Sequence, residues 1–402
     1  MEALTLILNG IEILIIGYFG FASIYVFVFG FAGLFETNEK ETLFQKQRKV
    51  AVLIPGYKED AVIVEVAYQA LRQTYPTDLY EVVIIADSFQ ESTLTELKNL
   101  PLKLVEVSFE KSTKSKALNK AMEVIGDNYD IALILDADNI MEPKFIEKIN
   151  DSFNQGYKVV QGHRVAKNTN TPFAILDAVS EEVNNHIFRK GHRVLGLSSA
   201  LIGSGMAFDY FFFKKMMSQV KAVGGFDKEL ELELLRKRIK IEYLHEALVL
   251  DEKVQKSEVF ANQRKRWLSA QFVYFQRYFW AGLKALFTKG NVDFFDKVYQ
   301  MVSPPRVLLL GLVSMFSILY FTLGFFGWTS ILMVNPFLWY ASFFLTILAF
   351  VFSVPRKFYT KRTLHAVLTL PKAFLLMFLS LFKLKGANKK FIHTQHGTIN
   401  TP

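Results

Sequence analysis

The chain has 402 residues, a hydrophobic content of 51%, an aromatic content of 15% and a net charge of +9. This apolar content is high for a wholly soluble protein and favours a membrane protein that also has one sizeable soluble core. The absence of cysteine excludes disulfide bonds and zinc sites with cysteine ligands.

Three uncharged segments predict membrane-spanning helices. Residues 13–34 would extend about 33 Å as a helix, which is enough to cross a bilayer. Residues 307–355 carry no charge and predict two further spans, near 307–328 and 331–354. Residues 363–385 hold a shorter apolar run with a basic end. We expect interfacial helices there, with a fourth span as the alternative.

The positions of Lys and Arg predict the orientation of the chain. These residues cluster in segments 36–49 and 355–363, and none occurs in residues 1–12 or near Ser330. Positive residues favour the cytoplasmic side. The sequence therefore predicts an integral protein of the inner (cytoplasmic) membrane. Its parts are a transmembrane helix at 1–35, a cytoplasmic domain at 36–290 and a C-terminal membrane region at 291–402.

The cytoplasmic segment alternates apolar runs with helical patterns. Strands are predicted at 50–55, 80–87, 102–108, 130–138 and 157–164, and helices at 60–73, 115–126 and 143–156. This alternation predicts an α/β domain with a mostly parallel sheet, in which ligands bind beyond the carboxyl ends of the strands. Neither a P-loop nor a glycine-rich dinucleotide motif occurs in the expected place, which argues against those sites.

Two aspartates end the apolar run "DIALILDAD". Asp136 and Asp138 are spaced so that both can face one ligand where the chain turns. Hard divalent cations prefer oxygen ligands, and Mg²⁺ commonly uses one or two carboxylates together with substrate phosphates. We therefore expect Asp136 and Asp138 to hold Mg²⁺ or Mn²⁺ against a diphosphate.

Several other stretches accompany this pair in a fixed order. They are "IPGYKE" at 54–59, Asp87, "KSKALNKAM" at 114–122, "GSGMAF" at 203–208, "KELELELL" at 228–235 and "QRKRW" at 263–267. This set resembles the membrane-integrated family 2 glycosyltransferases, the branch of the cellulose, chitin, hyaluronan and poly-N-acetylglucosamine synthases. The resemblance implies a GT-A fold and an inverting, metal-dependent transfer of a sugar from a nucleoside-diphosphate sugar, with a UDP-sugar expected.

The resemblance also implies roles for single residues. Asp138 would be the metal ligand proper, and Asp136 would lie by the ribose or share the metal. The residues expected to bind the nucleotide-sugar are Pro55, Tyr57, Glu59, Asp87, Lys116, Asp136 and Gly205. Gln263, Arg266 and Trp267 match the family's Gln-x-x-Arg-Trp motif, which touches the diphosphate and the acceptor end.

The acceptor alcohol must lose a proton, so a general base is required. The resemblance places this base in "DKELEL", where Glu229 stands at the position of the family's Asp. Because the repeated pattern allows a register slip of two residues, Glu231 is the alternative base.

The expected partners are a nucleoside-diphosphate sugar, a glycan or lipid-linked acceptor, the membrane, and an export or regulatory subunit. Anionic lipid and phosphorylated substrates account for the basic charge, so no nucleic-acid partner is expected. Two other functions stay open. One is transfer of a single sugar to a lipid or polyprenyl-phosphate carrier, and the other is a non-catalytic membrane scaffold that retains the fold.

Overall fold

The computed structural model describes residues 2–37, 41–43, 45–220, 225–255, 257–328 and 334–381. Within these residues lie the strands β1 (Val50–Tyr57), β2 (Tyr80–Asp87), β3 (Lys103–Val107), β4 (Ile131–Ile134), β5 (Ile140–Met141), β6 (Val159–Ala166), β7 (Met206–Asp209) and β8 (Glu242–Asp251). They form one sheet in the order β3-β2-β1-β4-β7-β6-β8-β5.

Helices precede, flank and follow this sheet. They are α1 (Glu2–Ala32), α2 (Ile63–Ala70), α3 (Glu91–Lys98), α4 (Lys114–Ile125), α5 (Phe145–Asn154), α6 (Pro172–Asn185), α7 (His192–Val194), α8 (Tyr210–Met217), α9 (Phe226–Arg236), α10 (Ser257–Lys289), α11 (Val292–Val302), α12 (Arg306–Phe325), α13 (Pro336–Ser353), α14 (Lys361–Val367) and α15 (Leu370–Leu381). A π-helical turn, His186–Gly191, separates α6 from α7.

The two faces of the central strands enter separate cores. Leu53 of β1 packs with Leu118 of α4 on one face, whereas Ile54 packs with Ile63 of α2 on the other. Successive side chains of a strand point to opposite faces, so a strand covered on both sides reads as a continuous apolar run. The predicted α/β class with flanking helices is confirmed, and the sheet itself contains both parallel and antiparallel pairs.

The parallel half of the sheet consists of β3, β2, β1 and β4. Its register places Tyr57 directly opposite Asp87, so β1 and β2 end at the same edge. Strand β4 ends at Ile134, earlier than predicted. Asp136 and Asp138 therefore lie in the turn after the strand.

The other half of the sheet contains strands that the sequence pattern did not predict. Strand β7 is antiparallel to both β4 and β6, and β8 pairs in parallel with β6. These strands are short or irregular in pattern, and "GSGMAF" was expected only to turn. In fact Met206, within that stretch, begins β7.

Four segments of the described chain are long and apolar enough to cross a membrane, judged by length and composition. They are Asn9–Ala32, Arg306–Phe325, Pro336–Ser353 and Lys361–Leu379. The last segment comprises α14 and most of α15, and its assignment as interfacial or spanning stays a prediction. The expected hairpin tip near Ser330 and the basic end at 383–390 lie outside the described residues.

Helix α1 is fixed to the soluble domain by close backbone packing. A Cβ at Gly191 would lie 2.1 Å from the Phe29 carbonyl oxygen, so only glycine fits there. The Tyr25 hydroxyl donates to Asp296 of α11 over 2.6 Å. The ring of His192 stacks on Phe29 with a centroid separation of 3.7 Å. The first apolar helix is therefore anchored to the domain that carries the sheet.

Candidate functional site

The carboxyl ends of β1 and β2 meet in an unusual backbone geometry. Lys58 has φ 55° and Ser88 has φ 63°, values in the left-handed region that non-glycine residues rarely adopt. The Lys58 N–H donates to the Asp87 carbonyl oxygen over 3.1 Å. A Cβ at Gly56 would lie 2.6 Å from Phe89, so glycine allows the two strand ends to approach. Strained backbone at a strand end marks a candidate binding site.

Four of the predicted nucleotide-binding residues lie at this corner. Pro55 and Tyr57 belong to the end of β1, and Glu59 follows it. Asp87 ends β2, is buried, and accepts a hydrogen bond from the Ser88 hydroxyl over 3.0 Å. The structure thus brings these residues together, and their contact with a nucleotide stays a prediction.

A lysine that the sequence analysis passed over contacts the first aspartate. The Lys114 ammonium forms an ion pair with Asp136 and donates to the Gly203 carbonyl oxygen over 2.7 Å. Lys116, the residue expected to bind nucleotide, is exposed and donates to the Lys111 carbonyl oxygen over 2.9 Å. Residues two apart on a helix point to nearly opposite sides, so only one of these lysines can face Asp136. Lys114 is therefore the lysine of this helix that contacts Asp136, and the expected contact of Lys116 with the nucleotide stays a prediction.

The second aspartate is held by amide groups. Asp138 is buried and accepts hydrogen bonds from the Asn139 side chain over 3.1 Å and from the Glu252 N–H over 3.2 Å. The same Asn139 amide donates to Asp251 over 3.1 Å. Donors on both oxygens fix the orientation of the Asp138 carboxylate.

Buried cations lie beyond Asp251. The ammonium of Lys253 lies 2.6 Å from the Asp251 carboxylate, and a guanidinium nitrogen of Arg164 lies 3.6 Å from it. Burial opposes ionisation of Asp251, but Arg164 and Lys253 lower its pKa overall. Glu181 completes the network through its contact with Arg164 at 2.8 Å. Asp251, which accepts a hydrogen bond from Asn139, is therefore ionised at neutral pH.

The residues at this edge suit a hard divalent cation only in part. Asp136 and Asp138 supply carboxylate oxygens, and within the described ranges no cluster of three or more His, Asp or Glu is arranged to bind a metal. Mg²⁺ typically keeps waters and takes substrate phosphates beside one or two carboxylates. The donor set fits such a shared site, in which the substrate completes the coordination.

An acid at the start of α9 lies next to the same turn. Gly203, whose carbonyl Lys114 contacts, has φ +81°, and a Cβ added to it would lie 3.8 Å from Cγ of Asp227. Burial raises the pKa of Asp227, and Lys228 opposes that rise. Asp227 is half-buried, so part of its surface stays accessible. Asp227 stands two residues before Glu229, to which the motif was matched in the sequence.

The two glutamates predicted as bases have other partners. Glu229 is largely buried and forms an ion pair with Arg277 of α10 at 3.0 Å. Glu231 is wholly buried, with Lys297 at 3.0 Å and Lys228 at 3.2 Å. The structure thus gives Glu231 two lysine partners inside the fold. Its expected role as the alternative base stays a prediction.

The Gln-x-x-Arg-Trp residues lie near the start of α10. Trp267 is 42% exposed, and burial lowers the pKa of Arg266. The side-chain oxygen of Gln263, Oε1, is buried and has no hydrogen-bond partner within the described chain. Arg264, which the motif does not include, pairs with Asp177 at 2.5 Å and lies 4.4 Å over the Trp267 ring. The expected contacts of Gln263, Arg266 and Trp267 with the diphosphate stay a prediction.

Gly205 lies just before β7, at the edge of the sheet where β4 ends, because Met206 pairs with Ile134. It has φ +60°, and a Cβ there would approach Val249 to 3.1 Å. Its carbonyl accepts from the Gly162 N–H over 2.7 Å. The predicted contact of Gly205 with the donor is untested, and its evident role is the turn that leads into β7.

Residues 47–270, more than half of the chain, match the protein family described as "Glycosyltransferase like family 2". A mannosyltransferase of Pyrobaculum calidifontis, solved with GDP-Man and Mn²⁺, is 13% identical with a TM-score of 0.44, over 82% of this chain and 99% of that one. S. aureus TarS 1–349, solved with UDP, is 16% identical with a TM-score of 0.36, over 54% and 63%. A search of curated proteins gave no match.

Proposed function

Because this chain belongs to the family 2-like glycosyltransferases, we propose that it transfers a sugar from a nucleoside-diphosphate sugar, with inversion, to a hydroxyl of a growing glycan at the membrane. The catalytic domain would lie on the cytoplasmic side, as the distribution of Lys and Arg predicts. A UDP-sugar is the expected donor.

The observation that supports this proposal best is the arrangement around Gly203. Lys114 contacts both Asp136 and the Gly203 carbonyl, and the carboxyl group of Asp227 lies beside the same glycine. A cation, an acid expected to bind the metal and an acid with a raised pKa therefore surround one turn. Sugar transfer needs these three kinds of group, because charge develops on the diphosphate while the acceptor loses a proton.

The donor would bind along the ends of β1, β2 and β4. The strained turn at Lys58 and the carboxylate of Asp87 suit the nucleoside. Asp136 and Asp138 would hold Mg²⁺ or Mn²⁺, which neutralises charge on the leaving diphosphate when bound. Lys114, already within reach of Asp136, would donate to a diphosphate oxygen.

Asp227 would act as the general base. As the acceptor oxygen forms its bond to the anomeric carbon, its proton passes to the Asp227 carboxylate. The bond between that carbon and the diphosphate breaks, and the electron pair leaves with the diphosphate. Attack from the side opposite the leaving group inverts the anomeric centre. The raised pKa of Asp227 makes its carboxylate a stronger base than an ordinary aspartate.

The start of α10 would bind the acceptor end. Trp267 would offer an exposed ring face to a sugar. The side-chain oxygen of Gln263, Oε1, would accept a hydrogen bond from a sugar hydroxyl. Leu268, the residue after Trp267, packs against a cluster that contains Leu308 of α12 and Ala373 of α15, so an acceptor held here would lie close to the membrane.

The experiment is a donor screen with the full chain in native membranes. Radiolabelled UDP- and GDP-sugars are supplied with Mg²⁺ or Mn²⁺, and products are separated by size and by extraction into organic solvent. The proposal predicts metal-dependent labelling of a water-soluble product that lengthens with time. A single sugar on an extractable lipid would support the carrier alternative, and no binding of any nucleotide-sugar would support the scaffold.

A further inference from the structure

A cleft of about 320 Å³ lies where the chain leaves helix α13. One wall is the segment that follows α13, with Lys357, Thr360, Arg362 and Thr363, and the opposite wall includes Thr169 from the loop after β6. Lys357, the first lining residue of that wall, stands four residues beyond Ser353, where a candidate membrane span ends. The cleft therefore lies at the expected boundary between membrane and water.

The lining combines hydrogen-bond donors with an apolar surface. The hydroxyls of Thr360 and Thr363 lie 3.1 Å apart, and Thr169 is exposed on the facing wall. Phe358 is largely buried and lines the same space. A ligand with an oxygen-rich group and an attached carbon chain matches this combination.

The two cations of the cleft differ in availability. Lys357 pairs with the buried Glu182 at 2.8 Å, and that acid also accepts from His163 over 2.9 Å. Burial opposes ionisation of Glu182, but His163 and Lys357 lower its pKa to about 2. Arg362 is exposed and forms no ion pair with any described residue. The cleft therefore retains one guanidinium for a ligand.

The net positive charge of the chain is concentrated in its C-terminal part, which includes this cleft. Asp296 is the last acidic residue, and eleven of the 47 Lys and Arg follow it. The other 36 are slightly outnumbered by the 38 Asp and Glu, so residues 297–402 account for more than the entire net charge of +9. Such a segment beside membrane helices attracts anionic lipid, at about 1 kcal/mol for each Lys or Arg near the surface.

We infer that this cleft binds the phosphate group of an anionic membrane lipid. Arg362 would contact two phosphate oxygens with its planar guanidinium, and the threonine hydroxyls would donate to the others. Phe358 would pack against the glycerol and the first carbons of the acyl chain. The inference does not depend on the proposed sugar transfer, because none of these residues belongs to the candidate active site.

Native mass spectrometry of the full chain tests this site. The protein is released from detergent micelles that contain phosphatidylglycerol or phosphatidylcholine, and the lipid retained is counted over a concentration series. We expect the wild type to retain one phosphatidylglycerol, and Arg362→Gln to weaken that retention about fivefold or more, in line with the loss of one lipid-facing cation. The matched control is Lys361→Gln, which removes the same charge from the adjacent residue outside the cleft.

Further results test whether the lipid binds in this cleft. Thr363→Val keeps every charge and should also weaken retention, which covers the case in which Arg362→Gln fails to fold. If Arg362→Gln and Lys361→Gln lost phosphatidylglycerol retention equally, the cleft would not be the binding site, because the loss would reflect a diffuse charge effect. If phosphatidylcholine were retained equally well, the assignment to an anionic lipid would be wrong. Complete displacement of the lipid by about 10 mM inorganic phosphate would also overturn it, because a weak anion site has about millimolar affinity.

Discussion

Lys297 of α11 forms an ion pair with Glu231 of α9 at 3.0 Å, and both side chains are wholly buried. Glu231 also accepts a hydrogen bond from the Leu201 N–H over 3.1 Å, close to the turn at Gly203. The residue before Lys297 is Asp296, which accepts from Tyr25 of α1. Helix α11 therefore connects the first candidate membrane helix, α1, to the helix that carries the proposed base.

Removal of one partner from this pair should be strongly destabilising. Lys297→Met leaves the buried Glu231 with Lys228 as its one remaining ion-pair partner among the described residues, and breaking a buried pair costs about 3–5 kcal/mol. The apparent melting temperature of the purified full chain measures this loss. The control is Lys240→Met, which removes a 46% exposed lysine from its pair with Asp293 and should cost less than about 1 kcal/mol. Equal shifts in the two variants would contradict the account.

The same pair predicts a pH dependence of stability. Burial opposes ionisation of Glu231, but Lys228 and Lys297 lower its pKa overall. A lowered pKa stabilises the fold above the ordinary glutamate value of about 4.3, and that contribution is lost as the pH falls through the folded value. Glu231→Gln should therefore melt below the wild type at pH 7, and the gap should narrow below pH ~4. A gap independent of pH would exclude ionised Glu231 as its cause.

Lys114 and Lys116 provide a matched pair for the donor site. Lys114→Met removes the cation that contacts Asp136 and should lower kcat/KM about tenfold or more, as expected for a charged hydrogen bond. Lys116→Met changes an exposed lysine on the other side of α4 and should have little effect. The measurement is the release of nucleoside diphosphate over a range of donor concentrations. The reverse order of effects would favour the expected contact of Lys116 with the nucleotide.

The rate should depend on pH through Asp227. A base works only when deprotonated, and burial raises the pKa of Asp227. The rate should therefore fall on the acid side with a midpoint above the ordinary aspartate value of about 3.9. The pH profile of kcat/KM under saturating metal tests this. If kcat/KM stayed unchanged as the pH fell to ~4, Asp227 would not titrate as described.

The metal dependence should change in Asp138→Asn. The amide keeps the shape of the side chain and loses its charge, so the concentration of Mn²⁺ that gives half-maximal rate should rise strongly, whereas the fold should be retained. Circular dichroism checks the fold, and a metal titration of the rate checks the prediction. An unchanged titration would remove Asp138 from the proposed metal site.

The elements of the fold that could be predicted from the sequence are those with strong local patterns. The apolar runs of β1, β2 and β4 predict these three strands, although β1 extends two residues further than predicted and β4 ends four residues earlier. Strands β7 and β8 were missed, because β7 has four residues and β8 includes polar residues such as His245 and Glu246. Their place in the sheet depends on antiparallel pairing and on a register shift near Gly162, which local pattern does not encode.

In the candidate site, sequence order identified the acids of β2 and β4 but not the orientation of helical side chains. Choosing between Lys114 and Lys116 requires the position of the first turn of α4, which starts at Lys114. Choosing between Asp227 and Glu229 likewise requires the start of α9 at Phe226. A helix start that shifts by two residues turns a side chain to the other face, so small errors in element boundaries become large errors in site residues.

The most direct test of the central claim compares Asp227→Asn with Glu229→Gln in one assay. Each change replaces a carboxylate with an amide, and only Asp227 lies beside the turn that Lys114 holds. The account predicts that Asp227→Asn lowers kcat about 10²–10⁴-fold while nucleotide affinity is kept, and that Glu229→Gln changes kcat far less. Full turnover in Asp227→Asn, with kcat lost in Glu229→Gln, would contradict it.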